Sequence, residues 1–450
     1  MNSMANERYA TVKERIISHV RLPLFRNGYL LTLSSAGSAG FGLVFWALAA
    51  HYYPAETIGV QSAVLSAMML LAGFAVLGLN NVLIRYLQGA GQTVSRLIGL
   101  TYAISAAASV AISLAFLSVA AIWFPTLRFL ISNGGWLLAF VIATAAWCVF
   151  SLQDFALTGL RQTQWIPLEN LLFSFVKIIL LVVFAGLPAG LGIFAAWNIP
   201  VALSLVPVNW LIFRRIVPEY IRARSSTDSP PRARQIAAYA AGNYLGSLFS
   251  IASVNLLPIL VVTLDGAKGN AYFYLPWIIV NGLQLLALNM TTSLTVEATV
   301  DQAQLVAYCR HVLVHVTRLL VPAVIMILIG APYILRVFGP DYATEGTQVL
   351  RWLALATVPN LIVLLGISLA RVENRAGVVA IIQGAQAMLG LGLAAVFIGL
   401  WGLAGVGMAW LVSQLVVAVL VWWITLRPVF AAPTATSRAG KKSFDTLSQG

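Results

Sequence analysis

Apolar runs of about twenty residues recur along this chain from one end to the other, and nothing constrains its fold more. A run of that length, wound as a helix, crosses a bilayer core of about 30 Å. Twelve can be drawn, at 28–50, 60–84, 98–122, 135–158, 168–187, 191–213, 236–264, 270–296, 312–335, 347–370, 376–399 and 402–426. Of the 450 residues, 60% are hydrophobic and 9% charged, whereas soluble domains carry about 25% charged residues. The chain is therefore expected to be an all-α polytopic membrane protein.

The charges test the map. With the N-terminus inside, the inner side collects 22 Lys and Arg residues, among them Arg26, Arg85, Arg96, Arg161, Arg214, Arg215, Arg310, Arg318, Arg371, Arg375 and Arg427. The outer side holds four, namely Arg128, Lys268, Arg336 and Arg351. That asymmetry follows the positive-inside rule and places both termini in the cytoplasm. It also accounts for the net charge of +13, which in a soluble protein would suggest nucleic acid. Residues 1–27, with Ile16, Ile17 and Val20 on one face, form an amphipathic surface segment rather than a cleaved signal. Cys148 is expected in a span and Cys309 on a cytoplasmic loop, so a disulfide is not expected, and no CxxC or metal spacing exists.

The chain is duplicated. At an offset of 213 residues, Phe184, Gly186, Leu187, Gly192, Ala196 and Trp197 match Phe397, Gly399, Leu400, Gly405, Ala409 and Trp410. Both copies join the last two spans of a six-span half. An even number of spans per half makes the repeats parallel. The expected units are an N-terminal lobe at 28–213, a basic cytoplasmic linker at 214–235, a C-terminal lobe at 236–427 and a cytoplasmic tail at 428–450. The linker contains Ser225-Ser226-Thr227-Asp228-Ser229-Pro230-Pro231 and is expected to be a flexible tether.

Several motifs carry a family resemblance: Phe338-Gly-Pro-Asp-Tyr-Ala343, Arg161-Gln-Thr-Gln-Trp-Ile-Pro-Leu-Glu-Asn170, Ala36-Gly-Ser-Ala-Gly40 and Tyr53-Pro-Ala-Glu-Thr-Ile-Gly59. In this order the chain resembles the polysaccharide and O-antigen flippases of the multidrug/oligosaccharidyl-lipid/polysaccharide (MOP) exporter superfamily. The resemblance implies a two-lobed bundle like that of the multidrug and toxin extrusion (MATE) transporters. It implies a bacterial cytoplasmic membrane and alternating access. It implies a polyprenyl-pyrophosphate-linked glycan of the undecaprenyl type as cargo, with other polysaccharide assembly proteins as partners and no cofactor. The signature of the major facilitator superfamily is missing from Arg85–Arg96.

One residue breaks the apolar pattern most sharply. Lys177 stands about nine residues into the fifth span, roughly 13 Å deep at 1.5 Å per residue. A central lysine costs at least about 2.5–3.5 kcal/mol, so it should face the bundle interior. Three readings stay open: an ion pair or coupling site with Asp154, a cavity cation that draws in an anionic substrate, and a side chain that snorkels toward the interface. No carboxylate falls at a midplane position, which weighs against an ion-coupled multidrug exporter, the main alternative. Asn27, Asn81, Asn243, Asn281 and Gln284 are candidate substrate-binding amides. Asn281, Gln284, Leu288 and Thr292 share one helix face. Trp277 and Tyr274 are read either as interface anchors or as sugar-stacking platforms. Arg26 and Arg85 are expected at the inner gate, where they contact lipid headgroups or the pyrophosphate. No nucleotide-binding or metalloprotease motif occurs. A membrane polymerase or transferase, the second alternative, would need a larger outer loop or paired catalytic acids.

Overall fold

The computed structural model describes residues 23–186, 192–222, 233–300 and 305–428. Nearly all of them are helical. The first six long helices are α1 Pro23–Tyr52, α2 Ala55–Ala75, α3 Val94–Trp123, α4 Gly134–Gly159, α5 Trp165–Val183 and α6 Gly192–Trp210. The next four are α7 Ala233–Leu264, α8 Gly266–Val300, α9 Leu305–Arg336 and α10 Pro340–Val372. A last continuous stretch, Ala376–Val421, leaves helical geometry at Trp401 and Gly402. We call its two arms α11 and α12. Gln386 on α11 donates to Gln414 on α12 at 2.9 Å. In a straight helix these residues would lie about 42 Å apart, so the chain folds back at Gly402, whose φ of 60° a side chain would strain.

Ten described helical stretches are long and apolar enough to cross a membrane, the last of them this 51-residue hairpin. Helix α9 shows what surrounds the bundle. Its buried residues Cys309, Val312, Val316, Leu320, Val324, Ala331 and Leu335 follow three- to four-residue steps and a longer one. Its opposite face exposes Met326, Ile329 and Tyr333 at 70% or more. An apolar inside and an apolar outside together are what a lipid solvent selects.

The halves meet along a few helices. Helix α8 packs along α1 and α2, and α7 packs along α2. Small residues permit the closest crossings: a Cβ on Gly59 would lie 1.7 Å from the Ala267 carbonyl oxygen. Asn270 fixes that crossing by donating to the Gly59 carbonyl at 2.7 Å and to the Ser62 hydroxyl at 3.1 Å.

Three expectations change. The second span does not reach residue 84. Helix α2 ends at Ala75, Leu77 and Gly78 take positive φ, and Leu79–Tyr86 forms a separate short helix. The cause is packing, since a Cβ on Gly78 would lie 2.6 Å from the Ala240 carbonyl oxygen of α7. The linker is not a tether over its first part: α6 continues through a π-helical segment, Leu211–Ile216, into the helix Val217–Arg222. Tyr220 docks that helix by donating to the Gln88 carbonyl at 3.1 Å. Cys309, expected on a loop, is buried in α9. Residues 1–22, 223–232 and 429–450, on which the terminal and remaining linker expectations fall, lie outside the described residues.

The α2–α8 crossing generates a test. Gly59→Ala is expected to cost about 1–3 kcal/mol through overpacking, and Gly59→Val more, seen as a lowered Tm of the detergent-purified protein. An unchanged Tm for Gly59→Val would mean that the two helices do not touch there.

Candidate functional site

A cavity of about 530 Å³ lies between the halves. Its closed end is aromatic: Trp46 from α1, Trp197 from α6, Tyr274 and Trp277 from α8, and Trp410 from α12 line it. The Trp46 and Tyr274 rings meet edge to face at 4.9 Å, as do Trp277 and Trp410 at 5.0 Å. Below this ceiling the wall mixes aliphatic side chains, among them Leu43, Met69, Val254, Ile278 and Leu364, with uncharged polar ones. Asn255, Asn281, Gln284, Asn360, Gln383 and Gln386 contribute amides, and Ser66, Ser250, Ser253, Thr291, Thr292 and Ser368 contribute hydroxyls. The other end is open. Leu288 is 42% exposed there, and Thr292 and Arg371 are exposed beside it. That end lies toward the last turns of α8 and α10. Arg371 is the one charged residue among the described lining residues.

The amides are held in place from the second half. Gln386 donates both to Asn360 at 3.2 Å and to Gln414 at 2.9 Å. Asn281 and Asn255 donate back to carbonyls four residues earlier, those of Trp277 and Ile251. Each thereby spends a donor on its own helix and presents its oxygen. Asn281, Gln284, Leu288 and Thr292, which share a helix face, all line the cavity. Trp277 and Tyr274 are only 3% and 7% exposed. They sit in the ceiling and do not anchor the chain at a membrane interface.

Lys177 does not line this cavity. The side chain is 4% exposed, and α5 buries Glu169, Phe173, Lys177 and Leu181 along one stripe of four-residue steps. Its ammonium sits 4.1 Å from the centre of the Trp197 ring, 4.9 Å from that of Phe173 and 5.4 Å from that of Phe45. Among the described residues it makes no ion pair and no hydrogen bond. The ion pair with Asp154 is therefore not formed. Cation–π contacts are each worth about 0.5–2 kcal/mol, against a desolvation penalty of several kcal/mol per buried ion. The aromatic cage offsets only part of that cost. Trp197 has two sides: one faces the cavity and the other covers Lys177.

Asp154 belongs to a different group. Asn170 lies against its carboxyl, and Glu169 and Tyr102 are close enough to feel its charge. Both Glu169 carboxyl oxygens and the Tyr102 hydroxyl are buried without a hydrogen-bond partner. Glu169 also lines a mostly apolar recess of about 360 Å³ between α5 and α6.

Arg85 and Asn81 are not among the described residues that line the cavity. Arg85 projects from the short helix after α2 and stacks on Tyr239 of α7 at 4.4 Å. Tyr86 meets the same ring edge to face at 5.7 Å. Together they tie the two halves rather than line the cavity. Asn81 lies half-buried on that short helix. Arg26, Asn27 and Asn243 sit on described helices, but their side chains lie outside the described residues.

Reasoning from sequence missed Arg371, counted only for topology, and the amides Asn360, Gln383 and Gln386. The available signal was their position: amides inside spans need partners, and α10 is buried over most of its length. The tryptophans Trp197 and Trp410 were noticed as repeat landmarks, not as cavity walls.

No protein-family model matches the chain, and no curated protein matches it either. Solved structures do. An inward-facing multidrug resistance MATE transporter of the MOP superfamily is similar at a TM-score of 0.62 and 17% identity, over 87% of this chain and 92% of that one. An outward-facing multidrug resistance MATE transporter of that superfamily gives 0.60 and 14%, over 89% and 94%. A MOP superfamily transporter from Pyrococcus furiosus, for which reversed polarity of the binding pocket suggests a different function, gives 0.64 and 14%, over 89% and 94%. These likenesses establish the fold: an all-α polytopic membrane protein with the MATE-like bundle.

The bare Glu169 carboxyl gives a prediction. Among the described residues the carboxyl makes no hydrogen bond that an amide of the same shape would lose, so Glu169→Gln is expected to leave the Tm nearly unchanged. A marked fall in Tm would show that the carboxyl is bound to something in the native protein.

Proposed function

We propose that this chain is a flippase that moves a polyprenyl-pyrophosphate-linked oligosaccharide across the bacterial cytoplasmic membrane by alternating access, with both termini in the cytoplasm. The observation that carries this reading is the chemistry of the cavity. Among the described residues no carboxylate lines it, one cation, Arg371, stands at its mouth, and amides, hydroxyls and aromatic rings make up much of the rest. A cationic drug would be unfavoured at that mouth, whereas a pyrophosphate would be drawn to it. Amide oxygens and hydroxyls pair with sugar hydroxyls, and tryptophan faces stack on the apolar faces of pyranose rings. The Pyrococcus furiosus transporter, described by a pocket of reversed polarity, supports separating fold from cargo in this group. The quoted sequence motifs point to the same subfamily.

A second reading, a cation-coupled multidrug exporter, is favoured by one observation. The buried pair Asp154 and Glu169 lies outside the cavity yet inside the first half, and buried intramembrane acids commonly serve proton or ion exchange. It gains further support from the multidrug transporters among the similar folds.

The two readings separate in one experiment. Cells depleted of the protein are analysed by mass spectrometry for polyprenyl-linked glycans. The flippase reading expects a full-length lipid-linked unit to accumulate, with its sugars shielded from periplasmic enzymes. It also expects Arg371→Ala to restore flipping only weakly and Arg371→Glu not at all. An unchanged lipid pool together with drug efflux lost in Glu169→Gln would replace it with the exporter reading.

A further inference from the structure

The two halves carry the same device with one difference. Trp197 and Trp410 are related by the offset of 213, and both stand in the cavity wall. Lys177 and Gly390 are related by the same offset. In the second half Trp410 lies against α11, where a Cβ on Gly390 would meet its ring at 2.8 Å. In the first half Trp197 lies against α5, with the Lys177 ammonium 4.1 Å from its ring centre. The duplicated tryptophan rests on a glycine in one half and on a buried cation in the other.

Both indole Nε1 donors are buried without an acceptor. In the first half the Lys177 ammonium adds a donor group with no acceptor among the described residues. Ammonium and indole N–H groups hydrogen-bond only as donors. The indole N–H and the ammonium both lack an acceptor among the described residues, and for the charged group an anion is the strongest acceptor. The second half, with Gly390 in place of the lysine, offers a single neutral donor beside Gln386 and Gln414. An anion prefers the first site and a neutral hydroxyl the second.

We infer that Lys177 and Trp197 form a concealed anion site in the first-half wall of the cavity. It opens when Trp197 turns away from the ammonium, and it takes the diphosphate of the cargo after the mouth has admitted it past Arg371. The inference rests on the flippase reading for the identity of the cargo, but the site itself is defined by its chemistry, a small polyanion. The cargo is thereby oriented: its diphosphate lies toward α5 and α6, and its glycan toward the amides of α8, α10 and α11. The cage keeps the site closed to bulk anions in the present conformation, because the ammonium is enclosed by Phe45, Phe173 and Trp197.

The site is tested on the full-length purified protein with inorganic pyrophosphate as the probe. The sequence contains five lysines, so modification by an amine-reactive reagent is mapped to Lys177 by peptide mass spectrometry. Lys177 is expected to label slowly in the native protein and severalfold faster in Trp197→Ala. Pyrophosphate is expected to slow the labelling of that variant, whereas uncharged sucrose should not. Trp197→Leu, a smaller change that also uncovers the ammonium, should label faster and be protected by pyrophosphate in the same way, and it serves where Trp197→Ala does not fold. In cells, Lys177→Arg should retain more flipping than Lys177→Gln, which a purely space-filling role would not require. Equal labelling with and without pyrophosphate in both tryptophan variants overturns the anion site. That result would leave the flippase reading to the lipid analysis, which does not depend on Lys177.

Discussion

In a bilayer a polar group has no water to return to, and this constraint orders the whole molecule. The chain meets it in two ways. Most small polar side chains bond back to their own helix: Thr101 to the Leu97 carbonyl, Thr144 to Phe140, Asn198 to Phe194, Thr263 to Ile259. Such residues carry no message beyond helix stability. The others bond between helices, as Asn270 does to Gly59 and Ser62, and Gln386 to Asn360 and Gln414. Those bonds fix where helices cross and gather the polar residues around one cavity. The polar groups that do neither stand out against this background. Among the ionisable ones are Glu169 beside Asp154, and Lys177 beside the Trp197 indole; neutral groups such as the Ser105 and Ser113 hydroxyls and the Trp352 indole stand in the same position. Burial without a partner is costlier for a charged group than for a neutral one.

Duplication explains the frame and its departures explain the site. The two halves repeat the hairpin, the inward tryptophan and a π-helical segment near the end of the sixth helix, Leu211–Ile216 in one half and Trp422–Leu426 in the other. A π segment inserts a residue into the helical ladder and shifts the face that follows. Its start recurs within about two residues of the repeat offset. The chemistry, by contrast, is unequal. The cavity amides come from the second half, mainly α8, α10 and α11, and both halves supply rings, Trp46 and Trp197 from the first and Tyr274, Trp277 and Trp410 from the second. The difference is that Lys177 lies against Trp197 where Gly390 lies against Trp410. A symmetric cavity would suit a symmetric cargo. This one suits a cargo with two chemically different ends.

The frame was legible because span length and charge placement are dictated by the bilayer, and each apolar run reports on itself without reference to its neighbours. The shared face of Asn281, Gln284, Leu288 and Thr292 was legible for the same reason, as helical periodicity is local. What lay beyond reach depended on contacts between distant segments. The early end of α2 comes from Gly78 meeting Ala240, a contact across 162 residues that no periodicity encodes. Arg371 looked like one more inner-side charge, because whether a residue at a helix end turns inward or outward depends on the neighbouring helices. Lys177 is buried in the bundle as its cost in lipid requires, but its surroundings were not foreseen. A carboxylate seemed the natural partner for a buried lysine, and three aromatic rings took that place instead.

That substitution of rings for a carboxylate has a mechanistic consequence. A lysine paired with an aspartate is neutralised in every state unless the pair breaks, and a strong internal salt bridge would compete with any anionic cargo. An aromatic cage stabilises the ammonium weakly and leaves its charge unspent. A cargo phosphate need only displace a ring face, not an ion. The same ring that holds the charge back from the cavity belongs to the cavity wall, so a rotation of one side chain changes what the cargo meets. Turning Trp197 would break its contacts with Phe45, Trp46, Trp147 and Phe173, and a ligand can drive that step only by its differential affinity for the two positions. Placing the charge behind Trp197 gives the cargo such a differential: it binds the open position of the tryptophan through a cation that the closed position denies it.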